Sequence, residues 1–223
     1  MHWPMKALLL LALVAAWPVF CRAADTPHAQ WEREIAAFEA ADKTNPPPTG
    51  AILFVGSSSI RLWKSLAEDF KGIPVINRGF GGSQMADSVF YADRIVLPYR
   101  PRQIVVYAGD NDLAAGKTPH AVLSDFQALV AKVHGALPET RICFLSIKPS
   151  PARWTLVERM REANRLIAEY ARATNGLAFI DVFTPMLGED GQPRPELFAA
   201  DKLHLNETGY RLWSSTVRPY LLR

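Results

Sequence analysis

Cysteine is nearly missing from this chain: among 223 residues there are two, Cys21 and Cys143. Cys21 falls in a segment read below as removed, so no intramolecular disulfide can brace the remainder, and Cys143, inside the apolar run Ile142-Cys-Phe-Leu145, reads as a small buried hydrophobe. An excess of charge is missing too, with 25 basic against 22 acidic residues. That balance offers no electrostatic case for nucleic acid or an anionic membrane as partner. The longest apolar run, Ala7 to Ala16, is broken off by Pro18, short of the roughly 20 residues of a spanning helix. Nucleotide loops are absent as well. Gly56 is not followed by Gly-Lys-Ser/Thr, and Gly79-Phe-Gly-Gly82 lacks the dinucleotide spacing. Asp110, Asp112, Asp201 and His204 have neither the alternation of a calcium loop nor the His pair of zinc hydrolases, so no metal and no other cofactor is expected.

What is there begins with a leader. Lys6 precedes Ala7-Leu-Leu-Leu-Leu-Ala-Leu-Val-Ala-Ala16, and Cys21-Arg-Ala-Ala24 supplies small residues at a cleavage point, the pattern of a secretory signal peptide over residues 1–23. A membrane anchor is the competing reading, opposed by Pro18 and the short run; Phe20 before Cys21 argues against a lipoprotein signal. The protein is therefore expected to be exported, periplasmic or secreted, with residues 24–223 as a single domain. Removing Lys6 and Arg22 leaves 23 basic against 22 acidic residues. A content of 49% hydrophobic and 21% charged residues suits one globular core. No feature specifies an oligomeric state.

Five short apolar runs recur at intervals: Ala51 to Gly56, Pro74 to Asn77, Gln103 to Ala108, Arg141 to Ile147 and Leu177 to Val182. Helical periodicity fills the intervals. Trp31, Ile35 and Phe38 share a face of Gln30 to Ala41, and Ile60, Trp63, Leu66, Ala67 and Phe70 continue one helix beyond Ser58 to Lys71-Gly72. Further helices are expected over Ala86 to Leu97, Pro119 to Ala136 (capped by Thr118) and Pro151 to Ala173, with a last one from Asn206. Thr184 to Asp201, rich in Gly, Pro and charge, reads as a surface loop. Strand alternating with helix implies an α/β fold, a parallel sheet covered on both faces with right-handed crossovers. Ligands in such sheets sit at the carboxyl ends of the strands.

Four blocks fall at such ends or at the start of the last helix: Gly56-Ser-Ser-Ser59, Asn77-Arg-Gly-Phe-Gly-Gly82, Gly109-Asp-Asn-Asp112 and Asp201-Lys-Leu-His204. In this order they resemble the SGNH hydrolase (GDSL esterase) superfamily over nearly the whole mature chain. That family carries Gly-Asp-Ser, a functional glycine, Gly-x-Asn-Asp and Asp-x-x-His, and Gly209-Tyr210 matches a further frequent pair. The resemblance implies a three-layer α/β/α, flavodoxin-like fold with a five-stranded parallel sheet, and chemistry without metal. It implies Ser58 as nucleophile, His204 as general base, Asp201 as its orienting acid, and the amides of Ser58 and Gly82 with the Asn111 side chain as oxyanion donors. The implied partner is a small acyl ester, such as an acetylated sugar or a lysophospholipid.

The residue chemistry agrees. A serine hydroxyl needs a base to take its proton, which neutral imidazole does near pH 7, and a helix N-terminus offers unpaired amides and a positive dipole end. Local chemistry leaves Ser57, Ser58 and Ser59 interchangeable; the family register selects Ser58. Ser57 then stands where the family usually has aspartate, a departure that bears on rate or pH optimum. It also keeps open a second class, a non-catalytic relative that binds a ligand. Gly79, Gly81 and Gly82 also fit a turn needing positive φ, and Asn111 also fits a turn residue. Arg61, Trp63, Arg78, Phe80, Trp154 and the loop Thr184 to Ala200 are expected to line the cleft, with Pro149-Ser-Pro151 at its rim. His28, His120 and His134 read as solvated or capping groups, and Asn206, though in an Asn-Glu-Thr sequon, as a helix cap.

Overall fold

Five runs rich in β-branched and aromatic residues form one sheet in the computed structural model, which describes Met1 and residues 28–222. The expected signal peptide lies outside the described residues. The strands are β1 (Ile52–Gly56), β2 (Val75–Gly79), β3 (Gln103–Tyr107), β4 (Arg141–Leu145) and β5 (Leu177–Ile180). All pair in parallel, in the order β2-β1-β3-β4-β5. The order reverses between β1 and β3, which opens a crevice at their carboxyl ends. Register makes those ends level, since Gly56 lies opposite Gly79 on one side and Tyr107 on the other.

Side chains alternate between two layers. Leu53, Val55, Ile104, Val106, Ile142 and Phe144 face a layer made by α1 (Glu32–Thr44), α4 (Met85–Ile95), α6 (Pro119–Ala136) and α7 (Val157–Ala173). Ile52, Phe54, Val105, Tyr107 and Cys143 face the other, built from α2 (Ser58–Arg61), α3 (Leu66–Asp69) and α8 (Glu207–Val217). A further short helix, α5 (Asp110–Ala114), follows β3. The three-layer α/β/α expectation holds. Thr118 accepts from the Ala121 amide with Pro119 in the first helical position, and Asn206 accepts from Gly209, so both caps form as expected. Among the described residues no helix is long and apolar enough to cross a membrane.

The helix expected from Ser58 to Phe70 is instead two pieces. Trp63 Nε1 and Ser65 Oγ both donate to Asp69 Oδ2, at 2.6 and 2.7 Å, and these side-chain bonds compete with helix continuation. Trp63, Leu66 and Phe70 stay buried while Ala67 turns outward, contrary to its place in the expected stripe. Likewise Pro151–Leu156 forms a 3₁₀ turn in which Arg153 leaves helical geometry, so α7 starts six residues late. The loop from Thr184 holds two 3₁₀ turns, Thr184–Met186 and Pro195–Leu197, and the bridge Phe198–Leu205 ties it to α8's approach.

Gly56 closes β1 at φ +133°, and a Cβ there would stand 1.9 Å from the Tyr107 carbonyl oxygen. Gly56→Ala combines backbone strain with overlap against a neighbouring strand, and should lower unfolding stability by about 2–5 kcal/mol in urea denaturation.

Candidate active site

Beyond Gly56 the three hydroxyls part company. The Ser57 amide donates to the Tyr107 carbonyl (2.9 Å), and the Ser57 carbonyl accepts from Ile60 and Arg61. Ser57 and Ser59 are fully buried with hydroxyls that find no partner among the described residues, whereas Ser58 Oγ lies 3.0 Å from His204 Nε2. The helix that follows has only four residues, so the dipole expected behind Ser58 is small, and what remains is its own unpaired amide.

His204 reaches the serine from the turn before α8. Its Nδ1–H donates to Asp201 Oδ2 at 2.6 Å, while the Leu203 and His204 amides donate to Asp201 Oδ1, each at 2.9 Å. The His204 side-chain bond, aided by those two amides, holds the Asp201 carboxyl down at about 2. Lys202, at φ +58°, turns the chain back between the pair. The carboxylate thus selects the tautomer whose Nε2 is free to accept from Ser58.

Gly82 and Asn111 meet at the same edge. Of Gly79, Gly81 and Gly82, only Gly82 has positive φ (+73°); Gly79, which ends β2, is needed for close approach, since a Cβ there would fall 2.2 Å from the Arg61 backbone nitrogen, while Gly81 packs against the movable Arg61 guanidinium. The Gly82 amide has no partner among the described residues. Asn111 Nδ2 donates one hydrogen to the Ser83 carbonyl (2.9 Å), leaving its second, and Asn111 Oδ1 accepts from Arg153 Nη2 (2.9 Å). All three expected donors follow the carboxyl ends of β1, β2 and β3, each with an N–H that has no partner among the described residues.

The acids flanking Asn111 turn elsewhere. Asp110 is buried against Lys148 Nζ (2.9 Å) and Arg153 Nη1 (3.2 Å); burial pushes its carboxyl up, but the two cations more than offset that and hold it below the ordinary range. Lys148, 1% exposed, also donates to the Tyr107 hydroxyl, which burial keeps far above its ordinary value. Asp112 accepts from the Met85 amide at the start of α4 and from Lys117, and burial raises its carboxyl against Lys117's pull. Lys148 and Arg153 were not singled out in the sequence, and proximity to Pro149-Ser-Pro151 was the one available signal.

Several expected cleft residues lie elsewhere. Trp63 and Phe80 are core side chains, drawn in by their apolar area, and Arg78 is sandwiched between Phe38 and Tyr99 while paired with Asp42. Arg61 is exposed, its Nε 4.0 Å from Glu34 and its guanidinium against Gly81. Trp154 and the Thr184 to Ala200 loop do border a cavity of about 460 Å³, walled by Pro151, Trp154, Pro193, Phe198 and Lys202, between the turn carrying Arg153 and the turn carrying Asp201. His28 is not solvated: Nδ1 bonds Asp87 and the ring stacks on Phe90 at 4.2 Å. His120 is exposed, and His134 bonds the Thr140 carbonyl.

Comparison with known proteins gives a concordant picture. Residues 49–212 match the model of the GDSL-like Lipase/Acylhydrolase family. Among solved structures, a Streptococcus pneumoniae protein provisionally described as a platelet activating factor is 25% identical, with TM-score 0.77 over 87% of this chain and 94% of its own. A GDSL-like lipase from Bacteroides thetaiotaomicron is 21% identical, TM-score 0.68, over 87% and 96%. An acetyl-xylooligosaccharide esterase from Geobacillus is 15% identical, TM-score 0.66, over 79% and 96%. The last two show likeness of fold alone. No curated protein matches the chain.

Removing the buried ammonium leaves Asp110 short of one cation in a dry site. Lys148→Met should therefore cost about 3 kcal/mol of stability, read from the urea midpoint.

Proposed function

The chain belongs to the GDSL-like lipase/acylhydrolase family and is a carboxylic ester hydrolase; from that premise we propose that it is an exported serine esterase working through Ser58, His204 and Asp201. The observation that carries the reading is His204 bridging Ser58 Oγ at 3.0 Å and Asp201 at 2.6 Å through its two ring nitrogens.

In the first half-reaction the Ser58 proton passes to His204 Nε2 as Oγ bonds to the ester carbonyl carbon. The carbonyl π pair moves onto oxygen, where the Ser58 and Gly82 amides and the free Asn111 Nδ2 hydrogen donate to it. Asp201, ionised throughout, stabilises the imidazolium. When the carbonyl re-forms, the C–O bond to the alcohol breaks and His204 returns the proton to the departing oxygen. Water then gives a proton to His204 as its oxygen bonds to the acyl carbon, and when the carbonyl re-forms the acyl–Oγ bond breaks, His204 returns the proton to Ser58 Oγ, and the acid leaves. No step requires a metal.

The substrate class we assign is a small acyl ester, an acetylated sugar or a lysophospholipid. The apolar cavity beside Trp154 and Phe198 gives an alcohol or acyl group a place to lie, and the Geobacillus neighbour acts on acetyl-xylooligosaccharide. The apolar leader with small residues at Ala23-Ala24 is the feature that supports export.

Purified protein should hydrolyse short-chain p-nitrophenyl esters at a rate unchanged by chelator, and Ser58→Ala should abolish turnover while Ser57→Ala and Ser59→Ala retain most of it. A Ser58→Ala enzyme that keeps its activity would overturn the assignment, and a wild type inert across acyl-chain and sugar-ester panels would favour the ligand-binding relative. With Asp201 held at about 2, the pH profile of kcat/KM should show no step from its carboxyl in the ordinary carboxylate range of about 3–5, and a step there that Asp201→Asn removes would contradict the pairing.

A further inference from the structure

We propose that Trp31 is a positioning residue for the oxyanion donor at Gly82, acting through the Gly81–Gly82 peptide; this deepens the serine-esterase reading and rests on it. Trp31 ends the 3₁₀ turn Ala29–Trp31 ahead of α1, remote in sequence from every block that touches the crevice. Its indole Nε1–H donates to the Gly81 carbonyl oxygen at 2.6 Å, and its ring meets Phe80 edge-on at 6.0 Å.

That carbonyl and the Gly82 N–H belong to one peptide unit. The unit is trans, so the two groups point in opposite directions: the bond that fixes the oxygen toward Trp31 turns the N–H away from it, onto the side where Gly82 is exposed. A peptide between two glycines is also the easiest in the loop to rotate. Neither residue has a Cβ to restrict it; a Cβ at Gly82 would meet nothing within 4 Å, and the group packed against Gly81 is the exposed, flexible Arg61 guanidinium, which makes no hydrogen bond to this unit. Unrestrained, the unit can rotate and aim its oxygen at the place where an oxyanion forms, replacing attraction by repulsion. The flanking groups are tied, Ser83 Oγ to the Phe80 carbonyl and the Ser83 carbonyl to Asn111, but neither bond touches this unit. Among the described residues Trp31 supplies the one hydrogen bond to it.

The tether is itself anchored. The Tyr91 hydroxyl donates to the His28 carbonyl at 2.8 Å, and the His28 ring bonds Asp87, the residue whose other oxygen accepts from the Gln84 amide to cap α4. The segment ahead of α1 is thus stitched to the helix that follows the oxyanion loop.

Trp31→Phe keeps an aromatic ring against Phe80 and deletes the donor; incorporation of 3-benzothienylalanine at position 31 keeps the bicyclic shape as well, should the phenylalanine variant fold poorly. Both should lower kcat about 5- to 20-fold, below the roughly 10²–10³ seen when an oxyanion donor is removed outright, with KM held within about twofold because the donor acts on the transition state. Affinity for a boronic acid that forms a tetrahedral adduct on Ser58 should fall by the same factor as kcat/KM. A variant with lowered Tm but unchanged kcat and boronate affinity overturns the proposal, leaving Trp31 as packing. Ser58→Ala, run in parallel, separates the two ideas: retained hydrolysis there overturns the esterase reading, whereas an inert Ser58→Ala beside an unaffected Trp31→Phe overturns only the role of Trp31.

Discussion

The passage of Gly56 across the end of the sheet is the constraint on which the rest depends. At this point β1 lies between two neighbours whose ends are level with its own. The Gly56 carbonyl accepts from the Phe80 amide on one side, and the next residue, Ser57, donates to the Tyr107 carbonyl on the other. The chain can then turn sharply only at a residue without a side chain, because the Tyr107 carbonyl occupies the space where a Cβ would go. One glycine thereby fixes where Ser58 stands relative to the loops after β2 and β3. Gly82 and Asn111 reach the same edge because the strands end in register, not through any bond to the serine.

Beyond that edge the protein keeps a lysine–aspartate pair out of water. Asp110 is buried with Lys148 and also meets the partly exposed Arg153, so one carboxylate meets two cations. Such an arrangement is costly unless each member is paired. Here the surplus faces two neutral acceptors, the Tyr107 hydroxyl and Asn111 Oδ1. Arg153 polarises the Asn111 amide in the sense that strengthens its N–H donors, so one cation serves both the buried acid and the anion expected above it. The fold therefore supports the crevice electrostatically through Asn111 and mechanically through the Gly56 turn.

Most of this frame was legible in the sequence because it rests on local chemistry. Val, Ile, Leu and Phe runs marked five strands, and their alternation with helical stripes gave a parallel sheet; Thr118-Pro119 and Asn206 marked caps. What escaped depends on groups far apart. The stripe from Ile60 to Phe70 has the same period whether or not the helix is broken, and only the bonds gathered by Asp69 break it. Arg78 and Phe80 lie within the second block and Trp63 a few residues after the first, yet Trp63 and Phe80 are drawn into the core by their apolar area and Arg78 turns toward α1, where Asp42, Phe38 and Tyr99 hold it. Trp31 is 50 residues from Gly81, Lys148 is 38 from Asp110 and Arg153 is 42 from Asn111, and in the first case the partner is a backbone carbonyl that any residue would offer. Periodicity and motif spacing carry no record of such pairs.

Ser57 marks where the family pattern and this chain differ. Fully buried, with its hydroxyl unpartnered among the described residues, it sits directly before the serine beside which negative charge would develop. An aspartate at that place would need its own hydrogen-bond donors to ionise at all, and once ionised would raise the energy of an oxyanion nearby. A neutral hydroxyl avoids both costs. In exchange the turn loses the bonds that a carboxylate could accept, so its shape rests more heavily on Gly56, on the Ser57 amide's bond to Tyr107 and on the packing of Ile60 and Trp63 beneath. The departure from the family pattern thus moves the burden of holding the serine from a side chain next to it to the strand end behind it.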